Sequence, residues 1–414
     1  MVIRQGIIWL SFLTILLSCD NKSTVEPRQE KSFVKIYGSE TRNEAVDLIY
    51  NESEEEMIIL ARAFEVGFSG SRDIMIIKTD ANGNNSNYFF TNTTNVDENP
   101  VQMALVGSDL YIAGTLENNE EIDMMLARFS LNTNTFLWIN AYGEPGKDES
   151  AFSIDVTSGQ IILAGSAEDS IDIDDDQNLD IFGTVKNVRI IDPEGNEILE
   201  SPRKNSGFVK DIKRFNANVY HSLSQEIDPV TGEVNVQIDV GLFDGNFGTG
   251  YAPQLSGNDF PVNLIRLDSK IIALGYRSDR VDDPQQSNGT FLLVAAYDPI
   301  NGNLISSSSR TILEGFETLD IIPSKMVQVE TDQFLILGNA NDNSIRLIKF
   351  IDTGNDYQFL WNNVFGSFRP SDETATVLAI QNNEYYFNAT IFFQSEDFTK
   401  IALFKTDENG RLDF

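Results

Sequence analysis

FVKIYG, residues Phe33 to Gly38, is the first strand-like stretch after a polar segment, and it has copies far downstream. FLWINAYG spans Phe136 to Gly143 and FLWNNVFG spans Phe359 to Gly366. Each downstream copy closes a repeated unit, whereas the N-terminal copy opens the chain with no unit before it. A chain that begins with the tail of its own repeat points to an array whose first and last pieces meet.

The repeat itself is clearest in a β-type run ending in or near a small residue. It starts at positions 58 (IILAR), 110 (LYIAG), 161 (IILAG), 219 (VYHSL), 271 (IIALG), 334 (FLILG) and 385 (YYFNA). Seven such runs at intervals of about fifty residues call for a repeat reading before any element-by-element one. After each comes a second strand leading into an Asp, Asn and Gly turn, as in DIMIIKTDANG (73–83), VKNVRIIDPEGN (185–196) and KIALFKTDENG (400–410). Such turns supply the positive φ of tight hairpins. Before each lies a third run, including AVDLIYN (45–51), PVQMALVG (100–107), AFSIDVTS (151–158), FVKDIKRF (208–215), PVNLIRLD (261–268) and TATVLAIQ (374–381); the counterpart near Met326 to Val329 is hard to place.

With the aromatic strand as the fourth member, the pattern predicts seven blades of four antiparallel strands, an all-β β-propeller. The last unit stops at RLDF, four residues past Gly410, before its fourth strand. Residues 33–38 supply the missing piece, so the expected closure is three C-terminal strands plus one N-terminal strand. That closure pairs strand edges that would otherwise be open to aggregation.

The W-x-x-x-Y/F-G strand, the I-x-x-G strand and the K-T-D-x-N-G turn, complete at Lys78–Gly83 and Lys405–Gly410, resemble those of seven-bladed propeller lipoproteins of Bacteroidota. The resemblance covers nearly all of the chain beyond the leader, and its motifs are structural. Blade four departs from it, lacking the aromatic strand and carrying Pro202 and Pro253 at its flanks. The resemblance implies attachment to the outer membrane, with Asp20 after the cysteine fitting exposure at the cell surface.

The N-terminus agrees. Arg4 precedes an apolar run, Ile7 to Leu17, too short to span a bilayer, and Leu16-Leu17-Ser18-Cys19 matches a lipobox. Residues 1–18 therefore read as a lipoprotein signal peptide, Cys19 as the lipidated residue, 19–31 as a polar tether containing Pro27, and 32–414 as one propeller domain. Acyl chains on Cys19 would hold the protein to a lipid bilayer, each buried methylene contributing about 0.8 kcal/mol. Cys19 is the only cysteine, so no intrachain disulfide can form. A formal net charge of −33 argues against nucleic acid as a partner.

In a four-stranded blade with strands A to D from the axis outward, the A–B and C–D connections share one face and the B–C and D–A connections share the other. The sequence makes the first set short and the second variable, so binding is expected on the variable face. Its longest segment, SIDIDDDQNLDIFG (170–183), places Asp172, Asp174, Asp176 and Asp180 at positions one, three, five and nine of a calcium-loop spacing. Gln177 replaces the turn glycine and Gly183 occupies position twelve, so a solvated acidic loop is the alternative. Acids also recur just before the inner strands, including Glu149 and Glu373. They would either line the axial mouth as a binding site for sugars or cations, or cap the turn that enters strand A.

Catalytic signatures are sparse. His221, the only histidine, falls in a B strand and reads as structural, which leaves histidine-based zinc sites and Ser-His-Asp hydrolysis without residues. Trp138 and Trp361 recur at one strand position and read as packing residues rather than sugar platforms. The leading expectation is a non-catalytic surface lipoprotein that binds a protein or glycan, as an accessory to an outer-membrane uptake or assembly complex. Two alternatives stand beside it: a carboxylate-dependent glycoside hydrolase or lyase, and a structural envelope component.

Overall fold

The computed structural model describes residues 32–412, apart from 39–40, 65–70, 92, 94–95, 119–120, 172–180, 201–205, 217–218, 228–233, 243–257, 279–289, 300–304, 306–320, 341–343, 355–356, 367–374, 382–383 and 394–397. The first strand, β1 (Phe33–Tyr37), stands apart from its sequence neighbours. Blade 1 is β2 (Asn43–Asn51), β3 (Glu56–Phe64), β4 (Arg72–Asp80) and β5 (Asn87–Phe90). Blade 2 is β6 (Asp97–Val106), β7 (Asp109–Asn118), β8 (Glu121–Ser130) and β9 (Thr135–Tyr142). Blade 3 is β10 (Glu149–Val156), β11 (Ile161–Ile171), β12 (Ile181–Ile191) and β13 (Glu197–Glu200).

Blades 4 and 5 contain three strands each among the described residues, β14 (Phe208–Arg214), β15 (Val219–Ile227) and β16 (Val234–Leu242), then β17 (Asn258–Arg266), β18 (Ile271–Ser278) and β19 (Thr290–Tyr297). Blade 6 is β20 (Ile321–Gln328), β21 (Gln333–Ala340), β22 (Ile345–Asp352) and β23 (Tyr357–Phe365). Blade 7 is β24 (Ala375–Gln381), β25 (Glu384–Phe393) and β26 (Phe398–Thr406), with β1 as its outer strand. The hard-to-place inner strand of blade 6 is thus β20, which carries Pro323 and Lys325 within an otherwise short apolar run.

The inner strands touch in a closed circuit, β2 to β6, β10, β14, β17, β20, β24 and back to β2. The fold is a seven-bladed β-propeller. Its closure is the expected one: β1 pairs antiparallel with β26, from Phe33 opposite Lys405 to Tyr37 opposite Ile401.

The apolar core is divided among the blade interfaces, and this explains the continuous apolar runs of the middle strands. In β3, Met57, Ile59 and Ala61 face blade 7, packing with Phe33, Tyr37, Ile401 and Leu403, while Ile58 and Leu60 face blade 2, packing with Ile112 and Met125. A strand buried on both faces has no polar side to show, so its pattern is an unbroken run instead of an alternation. Clusters of this kind fill all seven interfaces.

The aromatic outer strands do a second job. The turn after a C strand places Gly83, Gly195 and Gly410 at φ of 71°, 90° and 68°, each donating its N–H to the Asp three residues earlier. Onto each such turn packs the D strand of the preceding blade. Trp138 lies against Gly195, whose carbonyl accepts from Asn140 Nδ2 (3.2 Å) and Tyr142 OH (2.8 Å). Trp361 lies against Gly410, whose carbonyl accepts from Asn363 Nδ2 at 2.9 Å. In β1 the same three positions are Phe33, Lys35 and Tyr37, all close to Gly83, and Tyr37 OH donates to the Gly83 carbonyl at 2.7 Å. The tryptophans are therefore packing residues between blades.

This docking is testable at the glycines. A Cβ on Gly195 would come within 2.6 Å of Asn140 Nδ2, whereas one on Gly146, at a similar φ of 80°, meets nothing within 4 Å. Both alanine variants carry the φ penalty of about 1–2 kcal/mol, but Gly195→Ala also displaces the docked strand. Urea titration should show the larger fall in midpoint for Gly195→Ala, and equal falls would remove the docking account.

Candidate functional site at the propeller axis

The seven inner strands share a defect in register. The pairing of A with B shifts between Ala45 and Asp47, Pro100 and Gln102, Ala151 and Ser153, Val209 and Asp211, Pro261 and Asn263, Pro323 and Lys325, and Ala375 and Val377. Each shift is a β-bulge of one residue, a device that re-aims side chains and sharpens local twist. The residue before the bulge pairs with Ala61, Gly114, Gly165, Ser224, Gly275, Gly338 or Ala389. Only small residues fit there: a Cβ on Gly165 would come within 1.8 Å of the Ser150 carbonyl oxygen and one on Gly114 within 2.3 Å of the Asn99 oxygen. The small residue of the repeat motif is thus a consequence of the bulge.

Immediately after the bulge sits a side chain that reaches the next blade. Asp47 Oδ2 accepts the Met103 N–H at 2.7 Å, Gln102 Oε1 accepts the Ile154 N–H at 3.0 Å, and Ser153 Oγ accepts the Ile212 N–H at 3.3 Å. Asp211 Oδ2 accepts the Leu264 N–H at 2.7 Å, and Asn263 Oδ1 accepts the Met326 N–H at 2.9 Å. The acceptor and the donated N–H keep the same register at all five interfaces, forming a relay round the axis. It gives acceptors to N–H groups of the inner strands, each of which is the edge of its sheet and has a ladder partner on one side only. The sixth and seventh positions are Lys325 and Val377, residue types that cannot accept. The seam from blade 7 to blade 1 is instead sealed from β25, where Thr390 Oγ1 accepts the Ala45 N–H (2.9 Å) and Asn388 Nδ2 donates to the Asp47 carbonyl (3.0 Å).

Charge collects at this axis. Burial pushes the Asp47 carboxyl above its ordinary range, a shift opposed by Lys325, by the Met103 and Leu48 N–H groups and by Lys213. Burial acts in the same sense on Asp211, but there Lys213, Lys325, the Leu264 N–H and the Ser153 hydroxyl together outweigh it and hold the group below the carboxylate range. Lys213 donates to Asp211 Oδ1 at 3.1 Å. Lys210, at the bulge of β14, stands 5.7 Å over the Phe152 ring, and burial lowers its affinity for a proton.

Three residues before each bulge lies another recurring position, occupied by Asn43, Glu98, Glu149, Gly207, Asp259, Ile321 and Glu373. Glu149 is fully buried, its Oε1 accepts the Glu144 N–H at 3.0 Å, and Arg189 stands 3.8 Å away. Glu98, also fully buried, accepts from Thr93 Oγ1 (2.7 Å), from the Ile74 N–H (3.2 Å) and from Thr91 Oγ1. Asp259 receives both Arg277 Nε (2.7 Å) and an Arg277 terminal nitrogen (3.1 Å). The sequence reading missed Glu98 and Asp259, whose DENP and NDFP contexts differ from DESA but hold the same register. Glu98 and Glu149 thus bind the connection entering strand A, while Asp259 is held by Arg277 of the neighbouring strand β18.

Cys19, Glu373 and the acidic segment with Asp172, Asp174, Asp176 and Asp180 lie outside the described residues. Among the described residues, no group of three or more His, Cys, Asp or Glu side chains is placed to hold a metal. His221 is buried, its Nε2 lies 2.9 Å from the Pro299 carbonyl oxygen, and burial lowers its pKa, which keeps the ring neutral at pH 7. A cavity of about 580 Å³ opens between blades 5 and 6, lined by Arg266, Lys270, Asp332 and Asp352, on the face of the short A–B and C–D turns.

No protein-family model matches the chain, and no curated protein does. Solved structures share the fold. The polysaccharide lyase Uly1 aligns over 90% of this chain and 91% of its own with a TM-score of 0.50 and 7% identity. The phage phi92 endosialidase aligns over 91% and 69% at 0.49 and 9% identity, and the β-propeller domain of the Trilobed protease from Pyrococcus furiosus over 89% and 95% at 0.47 and 10%. At these identities the likeness is one of fold: the chain has the architecture of a seven-bladed β-propeller.

Proposed function

We propose that this chain is a non-catalytic scaffold, carried on a membrane by lipid at Cys19, that binds a protein or glycan through the face formed by its B–C and D–A connections. The asymmetry of the two faces carries this reading. A–B connections hold two to four residues in every blade, while B–C connections run from two, between Asn118 and Glu121, to eleven, between Ser278 and Thr290. A rigid ring with one uniform and one variable face is the arrangement on which recognition loops diversify. The engagement of Glu98, Glu149, Asp259 and His221 by the framework supports binding over turnover. Outer-membrane attachment and an accessory role in an uptake or assembly complex belong to the same proposal.

The test uses exposed positions on each face. A bulky polymer attached at Pro145→Cys, in a D–A connection, should abolish capture of the partner recovered from gentle-detergent extracts, while one at Thr133→Cys, in a C–D turn, should leave capture intact. Cys19→Ser should move the chain from the membrane to the soluble fraction. Equal capture from both labelled chains would contradict the choice of face. Polysaccharide turnover that a folded Glu149→Gln chain loses would replace binding with catalysis.

A further inference from the structure

We propose that the seam between blades 2 and 3 holds a divalent cation of the calcium type, bound by the carboxylates of Asp123 and Glu149 and the side-chain oxygen of Asn187. The strand register singles out Asn187. The C-strand residue opposite the small B-strand residue is Met75 in blade 1 and Met125 in blade 2, both fully buried. In blade 3 it is Asn187, opposite Gly165. Asn187 is also fully buried, yet among the described residues neither its Oδ1 nor its Nδ2 has a hydrogen-bond partner. An amide at an apolar position costs free energy unless its bonds are made, so Asn187 marks a place where a ligand would make them.

Its side chain faces blade 2. The pairing of β12 with β11 is uninterrupted, so Asn187 and Arg189 share the face of Ile191, which packs in one cluster with Met124 and Tyr142 of blade 2. Glu149 is on that face as well, two residues before Ala151 of the same cluster. The row of Asn187, Gly165 and Ala151 runs between Arg189 and Glu149, whose side chains approach to 3.8 Å across it. Arg189 is itself committed to the outer strand, donating to Glu197 and to Glu200 (3.0 Å).

Two carboxylate oxygens converge on the blade 2 side of this seam. A Cβ on Gly143 would lie 1.8 Å from Asp123 Oδ1 and 2.8 Å from Glu149 Oε2, so both oxygens crowd one point of the backbone. The seam between blades 1 and 2 has the same pair, Asp73 and Glu98. There the residue after the D strand is Thr91, whose hydroxyl donates to Glu98 and lies 3.5 Å from Asp73 Oδ1. Gly143 follows its D strand in the same way and has no hydroxyl to give. Asp123 makes no hydrogen bond or ion pair among the described residues. Neighbouring carboxylates repel unless a proton or a cation relieves them, and Lys147, the cation of the adjoining connection, is taken by Glu144 (2.8 Å) and Asp169 (3.0 Å). A bound cation meets both deficits, drawing on the two carboxylates and on Asn187 Oδ1, while backbone carbonyls and water complete the roughly six to eight oxygens that calcium takes. An all-oxygen set without sulfur or imidazole suits calcium over softer metals, and only two carboxylates place the affinity in the weak range of about 0.1–1 mM. This inference stands whether or not the loop face binds a partner.

The experiment is a thermal-shift and calorimetric titration of the full-length, detergent-solubilised, EDTA-treated protein with calcium chloride, set against sodium chloride at matched ionic strength. It is run on the unaltered chain and on one carrying Asp174→Ala plus Asp176→Ala, which separates the seam from the acidic segment 170–183. Calcium should raise Tm saturably beyond the sodium response in both chains. Asp123→Asn, added to the second chain, should weaken the apparent Kd by roughly tenfold or more, the effect of losing one charged contact. Asn187→Met, which installs the residue type of Met75 and Met125, should lose the calcium response and yet unfold in EDTA at a midpoint no lower than its parent, so that lost binding is not lost fold. A calcium response matched by sodium would overturn the site. So would a response that vanishes with Asp174→Ala plus Asp176→Ala, or one that survives unchanged in folded Asp123→Asn and Asn187→Met chains.

Discussion

Removing residues up to Gly38 should lower the stability of the propeller by about 5 kcal/mol or more, a large share of the roughly 5–15 kcal/mol typical of a folded domain. The loss has three sources. Phe33 and Tyr37 are each 5% exposed, and full burial of such side chains contributes about 1.5–3 kcal/mol apiece. The Tyr37 hydroxyl gives up its bond to the Gly83 carbonyl, a contribution of about 0.5–1.5 kcal/mol. The ladder from Phe33 to Tyr37 leaves β26 as an open edge, so the shortened chain should also self-associate. Urea titration and size-exclusion chromatography read both effects. A synthetic peptide spanning 32–38 should restore part of the lost midpoint in trans, because strand addition recovers the same pairing. An unchanged midpoint in the truncated chain would mean that the ring is held elsewhere.

Asp211→Ala should be the most damaging single substitution at the axis, at about 3–5 kcal/mol, the usual cost of removing one partner from a buried charge pair. Its carboxylate joins blade 3 through Ser153, its own strand through Ile212 and Lys213, and blade 5 through Leu264. Alanine leaves the Leu264 N–H, the Ile212 N–H and the Lys213 ammonium without that acceptor. Asp211→Asn keeps one acceptor oxygen and loses the charge, so its cost should be smaller. The pH dependence follows from the depressed pKa of Asp211. A folded-state pKa below the unfolded value means that the contribution is complete above the unfolded value, about 3.9, and disappears as pH falls through the folded one. Asp47, with its pKa raised, works in the opposite sense: its ionisation costs stability as pH rises through its folded pKa. The wild-type chain should therefore lose stability in acid more steeply than Asp211→Asn, which denaturant titrations between pH 2 and 7 would show as a flatter acid limb in the variant. Parallel acid limbs would count against the ionised carboxylate.

Much of the architecture was legible because each strand position has a chemistry that sequence records. The two-sided burial of β3 or β21 writes an unbroken apolar run, and the D-x-x-G turns write themselves through the positive φ of Gly83, Gly195 and Gly410. FVKIYG announced the closure because β1 must dock on the Gly83 turn as Trp138 and Tyr142 dock on Gly195. The small residue in the B-strand motif was also visible, but its cause, a bulge bringing a carbonyl within reach of any Cβ, belongs to a register that only the paired strands define.

The axis was illegible for a related reason. Its relay positions hold Asp47, Gln102, Ser153, Asp211 and Asn263, residues with a common role as acceptors and no common identity. Without the bulge register they do not align, and β20, with Pro323 and Lys325, resists placement altogether. The acids preceding strand A were half legible. Their recurrence showed at Glu149 and Glu373, but the bonds that tie Glu98 and Glu149 into the connections are made with residues of the turn and the preceding blade.

The closed ring is the centre of this account, and hydrogen exchange on the intact chain tests it most directly. Amides of Phe33–Tyr37 that pair with β26 should exchange as slowly as those of β26 itself and open together with them as denaturant is added, because both belong to one blade. Rapid exchange throughout 33–37 beside a protected β26 would show that the N-terminal strand does not close the propeller.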